Sequence, residues 1–184
     1  GFAYLTSMPI WNLAEPVMER LSDALGESCS AAVLDGSDIV YVMRVHTHKI
    51  VSLKLNVGTR LPAYCTSLGR VLLAGLDDAE VKNRLGSSSL SAKTRHTVTD
   101  PAEVLARVQQ VRRQGWALVN QELEEGLVSA AAPVKNRAGK VVAALNASWL
   151  ANRTSATAMK EQLLPKLRTA ADDVSALLSR TIRT

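Results

Sequence analysis

The residues best equipped for chemistry lie together between Val57 and Leu76, in the stretch VGTRLPAYCTSLGRVLLAGL. Gly58 to Ser67 is built from Gly, Pro, Thr and Ser and reads as a loop, with Arg60, Tyr64 and Cys65 set into it. Leu68 to Leu76 reads as a helix that is apolar almost all round, and therefore buried. Thr66 or Ser67 is the natural N-cap, because a short hydroxyl there accepts a bond from an unpaired amide of the first turn. A buried helix start with free amides, facing a polar loop, suits an anion. Arg60 could grip a carboxylate with two bonds; in an exposed loop it would simply be solvated. The same letters also fit an ordinary capped core helix with no ligand.

A second group of polar residues stands in Val141 to Trp149. Strict alternation puts Val141, Ala143, Leu145, Ala147 and Trp149 on one face and Val142, Ala144, Asn146 and Ser148 on the other. Small and polar side chains on one face of a covered strand leave a cavity. A strand with that face in water would show the same pattern.

Catalytic constellations are sparse. Cys65 with His46, His48 or His96 could imitate a thiol nucleophile and its base. Ser67 lies in TSLGR rather than in a nucleophile elbow. His46-x-His48 would need further ligands from elsewhere to hold a metal. We therefore expect no enzyme, no metal and no cofactor. Cys29 and Cys65 do not make a disulfide framework, and Cys29 reads as a small core residue in a strand.

The elements that must position these residues follow from periodicity and punctuation. Residues 12 to 25 read as a helix with Leu13, Val17, Leu21 and Leu25 on one face, Asn12 as cap and Gly26 as stop. Ser28–Leu34 and Ile39–Val45 flank an Asp-Gly turn and read as a hairpin. Ile50–Leu55 alternates like a half-buried strand. After the central helix, Asp77 or Asp78 starts a short helix ending near Gly86, Ser87–Ser91 is a polar loop and Lys93–Thr99 is an extended surface piece. Asp100-Pro101-Ala102-Glu103 starts a helix that Gly115 ends, with Val104, Leu105, Val108 and Val111 inward. Strands follow at Trp116–Glu122, Leu127–Val134 and Lys140–Trp149. Residues 154 to 182 are helical, with Pro165 expected to divide or bend them. Two runs of strands with helices between and around them predict an α+β fold: a mostly antiparallel sheet of about six strands with helices packed on it.

The composition is that of one globular domain. The chain has 184 residues, 47% of them hydrophobic and 21% charged, enough for a sizeable core. Only 4% are aromatic, so Leu, Val and Ala must fill that core. The net charge of +5 is scattered, which argues against a nucleic-acid-binding stripe. With no transmembrane span or signal peptide visible, the expected location is the cytoplasm, with no membrane partner. The opening GFAYLTSMPIW is apolar and uncapped, and reads as the tail of an upstream segment.

Several separated motifs resemble the IclR-type transcriptional regulators. Gly58-Thr59-Arg60-Leu61-Pro62 followed by Thr66-Ser67-Leu68-Gly69-Arg70-Val71-Leu72-Leu73-Ala74 is similar to the family's Gly-x-x-x-Pro loop and Gly-Lys/Arg-x-x-Leu-Ala helix. Ser28 to Val45 fits the strand pair before it; Gly115-Trp116-Ala117 and Glu122–Pro133 (ELEEGLVSAAAP) fit the strands after it. The wording LPAYCTSLGRVLLA most resembles the branch that controls protocatechuate and β-ketoadipate catabolism. The resemblance implies a GAF-like, profilin-like effector-binding domain over residues 12–184. Residues 1–11 would be a remnant of the linker to an N-terminal winged helix-turn-helix domain that alone touches DNA. It also implies a homodimer or homotetramer and a small carboxylate effector between the sheet and the start of the central helix. Carried onto this chain, the ligand-binding positions are Arg60, Tyr64, Thr66, Ser67, Leu68, Gly69, Val119, Asn120, Ser129, Asn146 and Ser148. Some members carry Cys or Asp where Ser129 and Val119 stand, so ligand identity does not transfer. A dimerisation module and a small Cys65/His enzyme are the competing readings.

Overall fold

The computed structural model describes residues 10–47, 56–153 and 155–181. The chain runs α1 (Ile10–Leu25), β1 (Ser28–Asp35), β2 (Asp38–Val45), β3 (Arg60–Pro62), α2 (Ser67–Ala74), α3 (Asp78–Gly86), α4 (Pro101–Gln114), β4 (Ala117–Asn120), β5 (Leu127–Lys135), β6 (Val141–Leu150) and α5 (Ala156–Thr181). The six strands form one antiparallel sheet in the order β3-β2-β1-β6-β5-β4. The first and second strand runs thus meet at the β1–β6 seam.

Each face of the sheet buries its own apolar layer. Cys29, Ala31, Val33, Ala143, Leu145, Ala147 and Trp149 face α1 and α5. The opposite face carries Ala32, Ile39, Tyr41, Ala131 and Ala144 and is covered by α2, α3 and α4. Alanine recurs at the seam because a helix pressed on a sheet needs short side chains where the backbones approach. Among the described residues no helix is long and apolar enough to cross a membrane.

Local expectations fail in instructive places. The helix at the start includes Ile10 and Trp11, both buried, so Asn12 lies inside it and does not cap it. Its inner stripe is Ile10, Ala14, Val17, Met18 and Leu21, while Leu13 is 52% exposed. A strict every-fourth-residue line drifts about 40° per step around a helix of 3.6 residues per turn, so Leu13 falls at the outer edge of the buried stripe centred near Leu21. Pro165 does not divide α5, which is continuous from Ala156 to Thr181. The lost bond is outweighed by the buried line of Leu163, Leu167, Ala171, Val174 and Leu178. Arg60–Leu61–Pro62, read as loop, is a short strand against β2. Proline is tolerated there because β3 is a sheet edge. Lys93–Thr99 is a turn rather than an extended piece, closed by Thr97 Oγ1 accepting from the Lys93 and Thr94 amides. Ile50–Leu55 lies outside the described residues.

Two bulges decide what the sheet presents. In β1–β2 the register runs Ala31↔Met43 and then Ala32↔Tyr41, leaving Val42 without a partner. Val42 and Met43 consequently both face the α1/α5 side. Tyr41 and Arg44, three residues apart, then face the same way. In β5–β6, Val134↔Ala143 is followed by Lys135↔Val141, so Val142 is the extra residue. Val142 packs on the α1/α5 layer and Val141 on the other, the reverse of strict alternation.

Candidate effector site

The chamber is built at the N-terminus of α2. Thr66 is the N-cap: its hydroxyl accepts from the Gly69 amide at 3.1 Å and donates to the Pro62 carbonyl at 2.9 Å. The first intrahelical bond is Arg70 N–H to Thr66 C=O. The Ser67 and Leu68 amides therefore lie in the first turn, where no helical carbonyl can reach them. Gly69 is required by contact rather than by torsion. A Cβ there would sit 2.2 Å from the Ala63 carbonyl oxygen and 2.3 Å from its Cα. The loop and the helix thus touch backbone to backbone.

The sheet supplies the opposite wall as two adjacent cross-strand rows. One row is Val119–Ser129–Ser148–Ser28 across β4, β5, β6 and β1. The next is Ala131–Asn146–Ser30–Arg44 across β5, β6, β1 and β2. Helix and sheet are joined directly, since the Ser67 and Ser129 hydroxyls are 2.7 Å apart. The Arg44 guanidinium donates through Nη1 to Ser30 Oγ at 2.6 Å and lies 5.7 Å from the Tyr41 ring centre. Its Nε is buried without a partner, and so is Asn146 Oδ1. Leu123 and Leu127 complete the lining. The cavity is small, ≈30 Å³. That is room for about two waters, so a larger guest requires the walls to move.

The expected site residues are partly gathered here. Thr66, Ser67, Leu68, Val119, Ser129, Asn146 and Ser148 line the chamber. Four others lie elsewhere. Arg60 is on the outer strand, paired with Asp35 at 2.7 Å and Asp38 at 3.4 Å. The Tyr64 hydroxyl donates to the Ser91 carbonyl. The Gly69 amide is occupied by Thr66. Asn120 is exposed, and its Oδ1 accepts from Gln121. Sequence reasoning missed Tyr41, Arg44, Cys65, Leu123 and Leu127 as wall residues. An arginine in an otherwise apolar strand, IVYVMRV, was the available signal.

Behind the chamber, Arg70 and Glu122 form a buried two-bond ion pair at 2.7 and 2.6 Å, with side chains 3% and 8% exposed. Arg70 Nε also donates to the Tyr64 carbonyl, and Glu122 Oε1 accepts from the Val98 amide. This pair holds the first turns of α2 against the β4–β5 connection that carries Leu123. Gln121, the residue before Glu122, has a φ of 61°, and Thr94 and Thr97 donate to the Gln121 and Glu122 carbonyls.

Burial sets the protonation of the wall. The Cys65 thiol is pushed up to about 11 and the Tyr41 phenol to about 12, so both keep their protons at neutral pH. Burial also lowers the Arg44 guanidinium from its ordinary value, although an arginine stays charged. His46 and His96 are exposed and outside the lining; His48 lies outside the described residues. Cys65 is thus a protonated wall thiol without a histidine base among the described residues. One consequence is alkaline lability. An unfolded thiol releases its proton near 9.0, whereas folded Cys65 holds it to about 11 and Cys29 to about 12. The folded state binds more protons in that window, so this contribution is complete below pH 9 and is lost as pH rises through 11. Urea midpoints should fall from pH 8.5 to 10.5, and Cys65→Ala should shallow the fall.

Comparison with known proteins agrees with this architecture. A family model for the bacterial transcriptional regulator IclR C-terminal region matches residues 2–176. The Pca regulon regulatory protein of Pseudomonas putida is 45% identical over 175 residues, which is 95% of this chain and 60% of that protein. The chain thus spans about three-fifths of the length of such relatives, which are named as transcriptional regulators rather than enzymes. Among solved structures, the C-terminal domain of Escherichia coli KdgR is 34% identical with a TM-score of 0.83, covering 93% of this chain and 99% of that one. A double mutant of the Acinetobacter PobR inducer-binding domain, in complex with 3-hydroxybenzoic acid, is 30% identical with a TM-score of 0.84, covering 90% and 97%. The α+β fold, the signature loop and helix, and these relatives agree: the chain belongs to the IclR family of bacterial transcriptional regulators and is its effector-binding domain.

Proposed function

We propose that the chamber between α2 and the sheet binds a small aromatic or keto carboxylic acid, in the class of protocatechuate and the β-ketoadipate pathway metabolites. Arg44 carries the reading: a guanidinium whose Nε is buried, unpartnered and set in a chamber with no carboxylate in its lining. A half-buried guanidinium with a buried, unpaired N–H of this kind is completed by an anionic guest. The Ser67 and Leu68 amides, the Ser67–Ser129 hydroxyl pair and Asn146 orient the remainder of the molecule. The PobR relative with 3-hydroxybenzoic acid supports the ligand class.

In the whole protein, residues 1–11 would continue into a linker and a winged helix-turn-helix domain, and the acid would bias the placement of two such domains in a homodimer or homotetramer. Titration calorimetry tests the central step. Protocatechuate, 3-hydroxybenzoate and β-ketoadipate are each compared with protocatechuic amide, which lacks the charge. At least one acid should bind and the amide should not. Arg44→Gln should weaken the acid by about 10- to 100-fold, the worth of a charge-assisted bond. An affinity indifferent to Arg44, or an amide that binds as well as its acid, would overturn the proposal.

A further inference from the structure

A second cleft lies at the other end of α2. Its volume is ≈240 Å³, against ≈30 Å³ for the effector chamber. Its floor is apolar: Val71 from α2, Val111 from α4, Pro133 from β5 and Val141 from β6. Val71 and Val111 are buried, while Pro133 and Val141 are only partly so, which leaves part of the floor open to a guest. The β5–β6 bulge makes this floor, because it turns Val141 toward α2.

The rim is cationic on both banks. Arg112 stands on one side, and exposed Lys135 and Lys140 stand on the other. Arg112 is engaged: it donates to the Ala74 and Leu76 carbonyls at 3.0 and 2.7 Å and to Asp78 at 2.8 Å. Neither lysine is in an ion pair among the described residues. Gly115, also in the lining, has Arg168 Nη2 within 3.4 Å of where a Cβ would be. Lys135 and Lys140 come from the β5–β6 hairpin, and Arg168 of α5 lies beside Gly115, at an apolar hollow whose lining holds no acidic side chain.

The geometry points to a second ligand site, for a small organic anion with an apolar body. Its carboxylate or phosphate head meets Lys135 and Lys140, and its hydrocarbon or aromatic body covers Val71, Val111, Pro133 and Val141. The inference is independent of the effector chamber, which lies beside the opposite end of the same eight-residue helix. It therefore stands or falls separately.

Two-dimensional amide NMR of the intact chain tests it, with benzoate, phenyl phosphate and inorganic phosphate as probes. The expected result is saturable shifts at Gly75, Gly115 and Gly139 with phenyl phosphate or benzoate, retained in Arg44→Gln. Preference for one probe over the other distinguishes a phosphate from a carboxylate head. The double substitution Lys135→Gln/Lys140→Gln should weaken these shifts about fivefold or more, as two exposed ion pairs would. Both positions are exposed, so the fold is kept and the unshifted remainder of the spectrum confirms it. Shifts confined to the effector chamber, shifts indifferent to the lysines, or equal binding of inorganic phosphate would overturn the site.

Discussion

Gly69→Ala is expected to abolish the native fold or to cost it about 4 kcal/mol or more, the range reserved for substitutions with a specific structural fault. The added methyl would lie 2.2 to 2.6 Å from three backbone atoms of Ala63, and backbone cannot step aside as a side-chain tip can. Ala63 precedes Tyr64 and Cys65, so relief of the clash would move the whole turn that lines the chamber. Gly86→Ala provides the contrast. Nothing lies within 4 Å of a Cβ there and its φ is not positive, so that variant should be neutral or more stable by up to about 1 kcal/mol. Urea unfolding followed by circular dichroism compares the two. A folded Gly69→Ala protein with an unchanged midpoint would contradict the packing described.

Breaking the Arg70–Glu122 pair should be nearly as damaging. Arg70→Met leaves a buried carboxylate without its counter-charge, and Glu122→Gln leaves a buried guanidinium without its own. Each should lose about 3–5 kcal/mol, because the surviving charge stays out of water without its partner. The double variant Arg70→Met/Glu122→Leu should recover much of the loss, since no orphan charge remains. A double-mutant cycle by urea unfolding reads the coupling directly. Additive losses would mean that the two-bond geometry contributes little. The pair also explains why two distant signatures coexist in one chain: the arginine of SLGR and the first acid of ELEEG are the two halves of one contact across 52 residues.

The sheet, the α2 cap and the α4 limits were legible because each follows from local chemistry. Thr66, Asp77, Asp100 and Gly115 act as caps within their own turns, and Asp-Gly makes its own hairpin. Asn146 and Ser148 were legible as one face because β6 alternates regularly beyond Ala143. Arg44 was not, because the Val42 bulge breaks the alternation that would have set it beside Val40 and Val42. Nor was the location of Arg60, which is decided by Asp35 and Asp38 more than twenty residues earlier. The Gly/Pro-rich stretch concealed β3 for a similar reason: three residues become a strand only because β2 offers an open edge.

The tightness of the effector chamber has a kinetic consequence. A hollow with space for about two waters is a poor receptor for a benzene ring at rest. If the chamber takes an aromatic acid, as proposed, the walls must part to admit it, so its on-rate belongs well below the diffusional ceiling. The cost of moving the lining, Leu123 and Leu127 included, would be subtracted from that ligand's affinity, and a ligand that prefers the opened walls shifts the domain toward them by that preference.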